Sequence, residues 1–264
     1  MGSPGRLGRR IELFGCAGAG KTTLYRAVLA VPERKPYLQP WKTFARTRKL
    51  SQPEGVRRAF GADCDFDSFL QNYLDQMAAG KDAPLMRLKR AAWLLEDLRR
   101  AAAADFVHEG PFVLFDENLC QRGISLLLSK ADRRFVDSYF RSVPPPLAIV
   151  ALIPPPEAVA SNLRARAAES GRMQRHKIAV QMAVETALAV LRRRGSTILE
   201  LNGTDISENA ARVIDFARSL TASSTSSGGT DADPARAAAA GNQPPRRQSW
   251  PTTVRQAIRY LRSE

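Results

Sequence analysis

The chain has 264 residues, of which 44% are hydrophobic, and 40 Lys and Arg against 26 Asp and Glu give it a formal net charge of +14. This length suits one domain of moderate size with its own core, plus a tail. No run of about 18 apolar residues occurs, which argues against a membrane-spanning helix, and the basic start of the chain lacks the apolar segment of a secretory signal.

The positive charge leaves two classes of partner open. One is nucleic acid or a membrane surface, and the other is a polyanionic small molecule such as a nucleotide. The basic residues are scattered through predicted helices, without zinc-finger spacing, and this favours the nucleotide over nucleic acid. Three cysteines without metal-ligand spacing argue against a disulfide framework and predict a reduced, cytoplasmic setting. The sequence leaves open whether the protein forms a homodimer.

The first predicted elements are a short strand at residues 11–14, a glycine-rich loop and a helix over residues 22–31. Gly15, Gly20, Lys21 and Thr22 fill the fixed places of the pattern G-x-x-x-x-G-K-[ST], the Walker A motif or P-loop. Glycines let the backbone wrap a phosphate chain, while amide groups and the helix dipole attract the anion.

We therefore expect this loop to bind ATP. Lys21 is expected to reach the β- and γ-phosphates, and the Thr22 hydroxyl to ligate Mg²⁺. The alternative is a glycine-rich turn between strand and helix that binds nothing. The predicted nucleotide contacts are Gly15, Cys16, Ala17, Gly18, Ala19, Gly20, Lys21, Thr22 and Thr23.

The next stretch of the chain is mostly helical. Residues 35–41 form a second strand or a loop, and residues 43–60 mix loop and helix. Apolar residues at i, i+3, i+4 and i+7 predict helices over residues 65–79 and 84–104. In the second of these helices we expect one apolar face to enter the core: Leu85, Leu88, Ala92, Leu95 and Leu98.

A buried strand predicted over residues 111–116 ends in Asp116, and Glu117 follows. In a P-loop protein a carboxylate at this place holds Mg²⁺, so we predict that Asp116 joins Thr22 as a metal ligand. Glu117 is predicted to act as a general base or to orient an acceptor, and the division of duties between the two acids stays open. The alternative is an ordinary acidic turn. Arg122 is a candidate substrate contact.

An arginine-rich segment follows predicted helices at 132–141 and 157–168 and a buried strand at 147–153. Arginines that close over a transferring phosphoryl group stabilise its charge, and Gly171 permits a mobile turn of the lid type. We predict catalytic roles for the first three arginines of this segment and a substrate contact for the fourth; the alternative is a solvated basic helix. The four are Arg164, Arg166, Arg172 and Arg175.

The last predicted elements are a helix at residues 172–194, a strand at 197–201 and a helix at 207–220. Ser207 is expected to cap this helix, with Glu208 in its first turn.

The domain organisation follows from composition. Residues 1–9 are predicted to be a flexible N-terminus, 10–220 the domain, 221–248 a disordered low-complexity linker and 249–264 a short helix. The short helix is expected to dock on the domain, with a partner or a membrane surface as alternatives.

Strands alternate with helices along the domain, which predicts a three-layer α/β fold with a mostly parallel sheet of about five strands. Ligands of such sheets lie at the carboxyl ends of the strands, where Gly15 and Asp116 are placed.

Four stretches resemble the thymidylate-kinase-like branch of P-loop kinases: GCAGAGKTT, FVLFDENLCQR, LAIVALIPPPEAVASNLRARAAESGR and ILELNGTDISENAARVIDFA. The resemblance covers about residues 9–220 and implies Mg-ATP as phosphoryl donor and a five-stranded parallel sheet. The family's Asp-Arg pair appears here as Asp116 and Glu117, and residues 36–50 lack its Arg-Glu-Pro pattern. The acceptor is therefore left unassigned.

Three hypotheses follow. The first is a kinase that transfers the γ-phosphoryl group of Mg-ATP to a nucleotide or another small molecule. The second is an AAA-type ATPase or nucleotide-dependent switch in which Glu117 activates water. The third is a non-catalytic ATP-binding module that acts through its basic surface and its tail.

Overall fold

The computed structural model describes residues 9–41, 66–79, 82–105, 110–127, 133–165 and 172–226. The chain divides into two units, residues 1–225 and 226–264, and the elements below belong to the first, apart from the last residue of the final helix. The predictions for residues 43–60 and for the C-terminal segment 249–264 lie outside the described residues.

A five-stranded parallel sheet forms the centre of the first unit. The strands lie in the order β2-β3-β1-β4-β5, and each neighbouring pair is parallel. This confirms the predicted fold class. The strands are β1 (Arg10–Phe14), β2 (Leu38–Pro40), β3 (Phe112–Phe115), β4 (Ala148–Leu152) and β5 (Thr197–Leu201).

Helices flank the sheet and complete the three-layer α/β P-loop architecture. No helix in the part of the chain that the structure describes is long and apolar enough to cross a membrane. A single 3-10 turn, Pro32–Arg34, precedes β2. The described helices are α1 (Lys21–Ala30), α2 (Phe66–Ala79), α3 (Pro84–Asp105), α4 (Leu119–Leu127), α5 (Arg133–Ser142), α6 (Pro156–Ala165), α7 (Arg172–Arg193) and α8 (Ile206–Ser226).

The three central strands are buried along their whole length. Parallel strands covered by helices on both faces need apolar side chains in both directions, which explains the uninterrupted runs FVLF and AIVAL. Glu12 of β1 pairs in register with Phe115 of β3. The two strands therefore end side by side, and this places the phosphate loop after β1 next to the acidic pair after β3.

Helix α3 buries a different face from the predicted one. Leu85 is 77% exposed and Leu95 is 40% exposed, although both were expected in the core. Leu98 is buried as predicted, but its buried neighbours are Leu94 and Asp97. Leucine and alanine occupy several faces of this helix, so the packing of α3 against β1 and α4, rather than its own periodicity, selects the buried face.

Helix α4 was not predicted. Its nine residues contain Gly123, which lowers helix propensity. The structure explains the glycine, because a Cβ atom there would lie 2.5 Å from the ring of Tyr139 on α5. The close approach of α4 and α5 thus requires a residue without a side chain at this position.

The predicted cap of the last helix is wrong by two residues. Asp205, not Ser207, caps α8, because its Oδ1 accepts hydrogen bonds from the backbone N–H groups of Ser207 at 2.8 Å and Glu208 at 3.0 Å. The helix begins at Ile206 and ends at Ser226, six residues beyond the predicted end at residue 220.

Candidate functional site

The loop between β1 and α1 depends on two close approaches that only glycine permits. Gly18 has φ +83°, and a Cβ atom on it would lie 2.7 Å from Leu163 Cγ on α6. A Cβ atom on Gly15 would lie 2.7 Å from the carbonyl oxygen of Leu152 at the end of β4. The loop is therefore held against β4 and α6, as a phosphate-binding loop requires of its backbone.

Asn162 on α6 fastens the same loop and was not predicted. Its Nδ2 donates a hydrogen bond to the carbonyl oxygen of Gly18 at 2.9 Å. The two residues are 144 positions apart in the chain, and nothing in the sequence around Asn162 indicates the contact. The loop thus has a polar anchor besides its packing on Leu163.

Lys21 lies at the mouth of the loop and is 6% exposed. Its Nζ donates to the carbonyl oxygens of Gly15 at 3.0 Å and Cys16 at 3.1 Å. Nζ also lies 3.9 Å from Oε1 of Glu117. The ammonium group is thus held between the loop and the acidic pair, within reach of an anion that enters the loop.

Cys16, one of the predicted nucleotide contacts, has a buried side chain in the loop. Burial raises the pKa of its thiol. A neutral, buried thiol is a poor nucleophile. This favours a packing role for Cys16 over a redox role.

Asp116 and Glu117 face different neighbours. Burial, followed by the nearby Asp116 carboxylate, raises the pKa of Tyr25 to about 12. Glu117 instead approaches Lys21, and its side chain is 49% exposed. Asp116 therefore acts on Tyr25 of α1, whereas Glu117 approaches Lys21 on the open side of the site, a distinction that the sequence did not offer.

The residues on the α1 side fit a magnesium ion. Thr22 and Asp116 carry oxygen ligands of the kind that Mg²⁺ prefers. The buried hydroxyl of Tyr25 near Asp116 has no hydrogen-bond partner among the described residues. Within those residues no three His, Cys, Asp or Glu side chains group as a metal site. A metal here would therefore depend on phosphate oxygens and water for its other ligands.

Arg122, the predicted substrate contact, is paired with a residue that the sequence analysis missed. Its Nε donates to Oδ2 of Asp97 on α3, and Asp97 is 1% exposed. The guanidinium group lies 5.2 Å from the centre of the Trp93 ring. Burial opposes the charge on Arg122, but Asp97 and Glu117 outweigh it and raise the pKa of Arg122.

The predicted lid is described only in part. Arg164 is exposed near the end of α6. Arg172 and Arg175 lie in α7, and their side chains are outside the described part of the structure, as is Arg166 entirely. The closure of these arginines over phosphate groups stays a prediction.

A second set of charges joins β1 to the end of α3, and we call it the strand cluster: Arg10, Glu12 and Asp105. Arg10 Nη1 is 2.9 Å from Glu12 Oε1, and Arg10 Nη2 is 3.5 Å from Asp105 Oδ2. Glu12 Oε2 also accepts a hydrogen bond from the backbone N–H of Cys120 at 2.9 Å. The cluster links the strand that carries the phosphate loop to α3 and α4. Its sequence signal, two charges in a short apolar strand, was overlooked.

Comparisons with known proteins give structural neighbours only. No protein-family model and no curated protein matches the chain. Deoxyadenosine kinase from M. mycoides with bound dCTP is similar at 13% identity and a TM-score of 0.45, over 80% of this chain and 99% of that one. The same enzyme with the products dCMP and a flexible dCDP bound has 13% identity and a TM-score of 0.46, with the same coverage. Because these TM-scores lie below 0.5, no residue role and no substrate is transferred from the enzyme to this chain.

Proposed function

We propose that this protein is a Mg-ATP-dependent kinase that transfers the γ-phosphoryl group to a nucleotide or another small molecule. One observation carries the proposal: Lys21, bonded to the carbonyl groups of its own loop, lies 3.9 Å from Glu117, the carboxylate on the open side of the site. A phosphate-binding cation and an accessible base thus share one site, as phosphoryl transfer to an acceptor requires.

The donor side of this site is the loop and the start of α1. Loop amides and the ammonium group of Lys21 bind the β- and γ-phosphates, since both present positive charge to the anion. Thr22 and Asp116 would hold the magnesium ion. When bound, Mg²⁺ neutralises charge on the phosphate oxygens.

The acceptor side is the open face near Glu117. For a hydroxyl acceptor, the acceptor oxygen forms a bond to the γ-phosphorus while the bond to the β-γ bridging oxygen breaks. ADP leaves with that electron pair, and Glu117 takes the hydroxyl proton. Burial lowers the pKa of Arg122, but the contact with Asp97, followed by the charge of Glu117, raises it overall. In this proposal Arg164, Arg166 and Arg172 close over the phosphates, and Arg175 contacts the substrate.

The ATPase hypothesis has one observation in its favour. Nearly half of the Glu117 side chain is exposed, at 49%, so water has access to the carboxylate that would take the acceptor proton. Water in place of an acceptor would make the same geometry an ATP hydrolase. The two functions therefore differ in whether an acceptor outcompetes water at Glu117.

The experiment that tests the proposal measures ADP release with Mg-ATP, alone and with nucleosides, nucleoside monophosphates and small sugars. ADP release that requires an acceptor supports the kinase; release that is independent of every acceptor supports the ATPase. A failure of the purified protein to bind ATP would refute both.

Lys21→Ala ties that measurement to the site. We expect ATP affinity to fall by about 100-fold, because each charge-assisted hydrogen bond to phosphate contributes about 1.5–3 kcal/mol. Lys35→Ala is the matched control, since Lys35 is exposed after the 3-10 turn. Equal ATP affinity of both variants, measured by titration calorimetry, would place the nucleotide elsewhere.

A further inference from the structure

Four side chains of alternating charge run from the phosphate loop to α3, and we call them the loop network: Lys21, Glu117, Arg122 and Asp97. Lys21 approaches Glu117, Glu117 lies close enough to Arg122 to raise its pKa, and Arg122 donates to Asp97. Exposure falls along the carboxylates, from 49% at Glu117 to 1% at Asp97. The network begins at the open side of the site and ends in the core.

We propose that Asp97 is a positioning residue: it holds Arg122 beside Glu117 while preventing Arg122 from pairing with Glu117. The inference rests on the proposed function, because it assigns Asp97 a part in acceptor use. Nothing in the sequence around Asp97 separates it from the other charges of α3.

The position of Arg122 is fixed from several sides. A buried carboxylate is costly unless it is paired, so Asp97 retains its partner strongly. Arg122 Nε is engaged by Asp97, and the Trp93 ring covers one face of the guanidinium group. A second cation, Arg100 Nη1, lies 3.6 Å from Asp97 Oδ1. Asp97 is thus held in turn by two cations.

Nucleotide binding changes the partners in this network. Phosphate draws the ammonium group of Lys21 toward the anion, and Arg122 is then the remaining cation of the loop network that acts on Glu117. If Asp97 did not engage Arg122, the guanidinium group would pair with Glu117 directly. Such a pair would occupy the carboxylate lone pairs that an acceptor hydroxyl must reach. By engaging Arg122, Asp97 therefore leaves the Glu117 carboxylate free to accept the proton of the acceptor hydroxyl.

The kinetic test uses Asp97→Asn, which has nearly the same shape without the charge. We expect kcat with the best acceptor to fall by about tenfold, with the KM for ATP within about twofold of the wild-type value. Asp97→Glu is expected to restore part of the loss. Glu96→Gln is the matched control, because Glu96 is the neighbouring carboxylate on α3 and pairs with Arg99 and with the same Arg100 that lies near Asp97, so it removes a charge beside Arg100 while the Asp97–Arg122 pair stays unchanged. A parallel loss of ATP binding in Asp97→Asn would overturn the inference.

A double variant covers the case in which Asp97→Asn does not fold. Asp97→Asn/Arg122→Gln removes both charges together and leaves neither partner buried alone. If Asp97 acts through Arg122, the double variant has the kcat of Arg122→Gln alone. Losses that multiply would show that Asp97 acts independently, and would overturn the inference.

An activity-free measurement separates this inference from the proposed function. The Arg122 Nε–H signal in a ¹⁵N spectrum is expected to exchange slowly in the wild-type protein and in Glu96→Gln, and fast in Asp97→Asn. Rapid exchange in an active wild-type protein overturns the role of Asp97 alone. Absence of acceptor-dependent turnover in the wild-type protein overturns the proposed function, and the role of Asp97 with it.

Discussion

The two ends of β1 carry charged clusters that are built in opposite ways. At the amino end, the strand cluster encloses Arg10 and Glu12 with no exposure to solvent. At the carboxyl end, the loop network reaches solvent at Glu117, and its Lys21–Glu117 distance is a loose 3.9 Å. In the first cluster, buried ion pairs of 2.9 Å and 3.5 Å hold Arg10 between Glu12 and Asp105. The second leaves a cation and a carboxylate able to change partners.

The comparison shows which ion pairs of this fold must stay intact and which can change partners. Burial makes charge pairing obligatory, because an unpaired charge in the core costs several kcal/mol. Partial exposure lets water replace a lost partner, so each ion can leave the other at small cost. The strand cluster is therefore suited to stability, and the loop network is suited to a change of partners.

The largest effect is expected from breaking the strand cluster. Arg10→Met should lower the free energy of unfolding by about 3–5 kcal/mol, because it leaves Glu12 and Asp105 without their cation. Urea unfolding measures this. Arg26→Met, a change at an exposed site on α1, is the control and should cost less than about 0.5 kcal/mol. Equal costs would mean that the cluster contributes no special stability.

The strand cluster should also make the free energy of unfolding depend on pH, through Asp105. Burial is the main cause that raises the pKa of Asp105 from 3.8 to about 6. The folded protein therefore binds a proton that the unfolded chain has lost between these pH values. The stability that Asp105 contributes is fully present below pH 3.8 and decreases as the pH rises through about 6, by about 3 kcal/mol at most.

Asp105→Asn isolates this contribution. The difference in unfolding free energy between the wild-type protein and Asp105→Asn should change in favour of the variant as the pH rises from 4 to 7.5. Denaturant unfolding at a series of pH values gives the difference. A difference that stays flat across this range would show that the folded protein does not raise the pKa of Asp105.

A smaller effect is expected where the phosphate loop meets α6. Asn162→Ala removes the hydrogen bond to the Gly18 carbonyl oxygen, worth about 1 kcal/mol, so ATP affinity should fall about fivefold with little change in stability. Ser161→Ala, next in the same helix, is the control. If Asn162→Ala lowered the free energy of unfolding and left ATP affinity unchanged, the contact would contribute to stability, as the strand cluster does, and not to nucleotide binding.

A last effect, of similar size, is expected at the cap of α8. Asp205→Ala should cost about 1 kcal/mol of stability, because the cap of α8 loses its acceptor for two N–H groups. Ser207→Ala should cost less, since its hydroxyl is not the cap. If thermal unfolding showed a larger loss of stability for Ser207→Ala than for Asp205→Ala, Ser207 would be the cap, as the sequence predicted.

The sequence predicted the parts of the fold that local pattern controls. Apolar runs gave β1, β3 and β4, and the Walker A spacing located the loop and the start of α1. Contacts between distant residues were not predictable in the same way. Asp97 and Arg122 are 25 residues apart, and neither the neighbourhood of Asp97 nor that of Arg122, a candidate substrate contact, indicates that the two pair. Their burial is a consequence of how α3 and α4 pack.

The errors have the same physical origin. Leu85 and Leu95 fit a helical stripe, yet α3 has a second stripe that includes Leu94, and only its neighbours decide between them. At α8 the choice between Asp205 and Ser207 was a matter of two residues, and the sequence favours a polar cap at either place. Periodicity identifies an element more reliably than it identifies the buried face or the first residue.

Helix α6 couples its own position to that of the glycine-rich loop. Leu163 packs on Gly18 and Asn162 bonds to it, while Arg164, at the next position, begins the arginine segment. A helix of ten residues transmits displacement along its axis with little bending. A displacement of α6 therefore reaches the glycine-rich loop through Leu163 and Asn162 together.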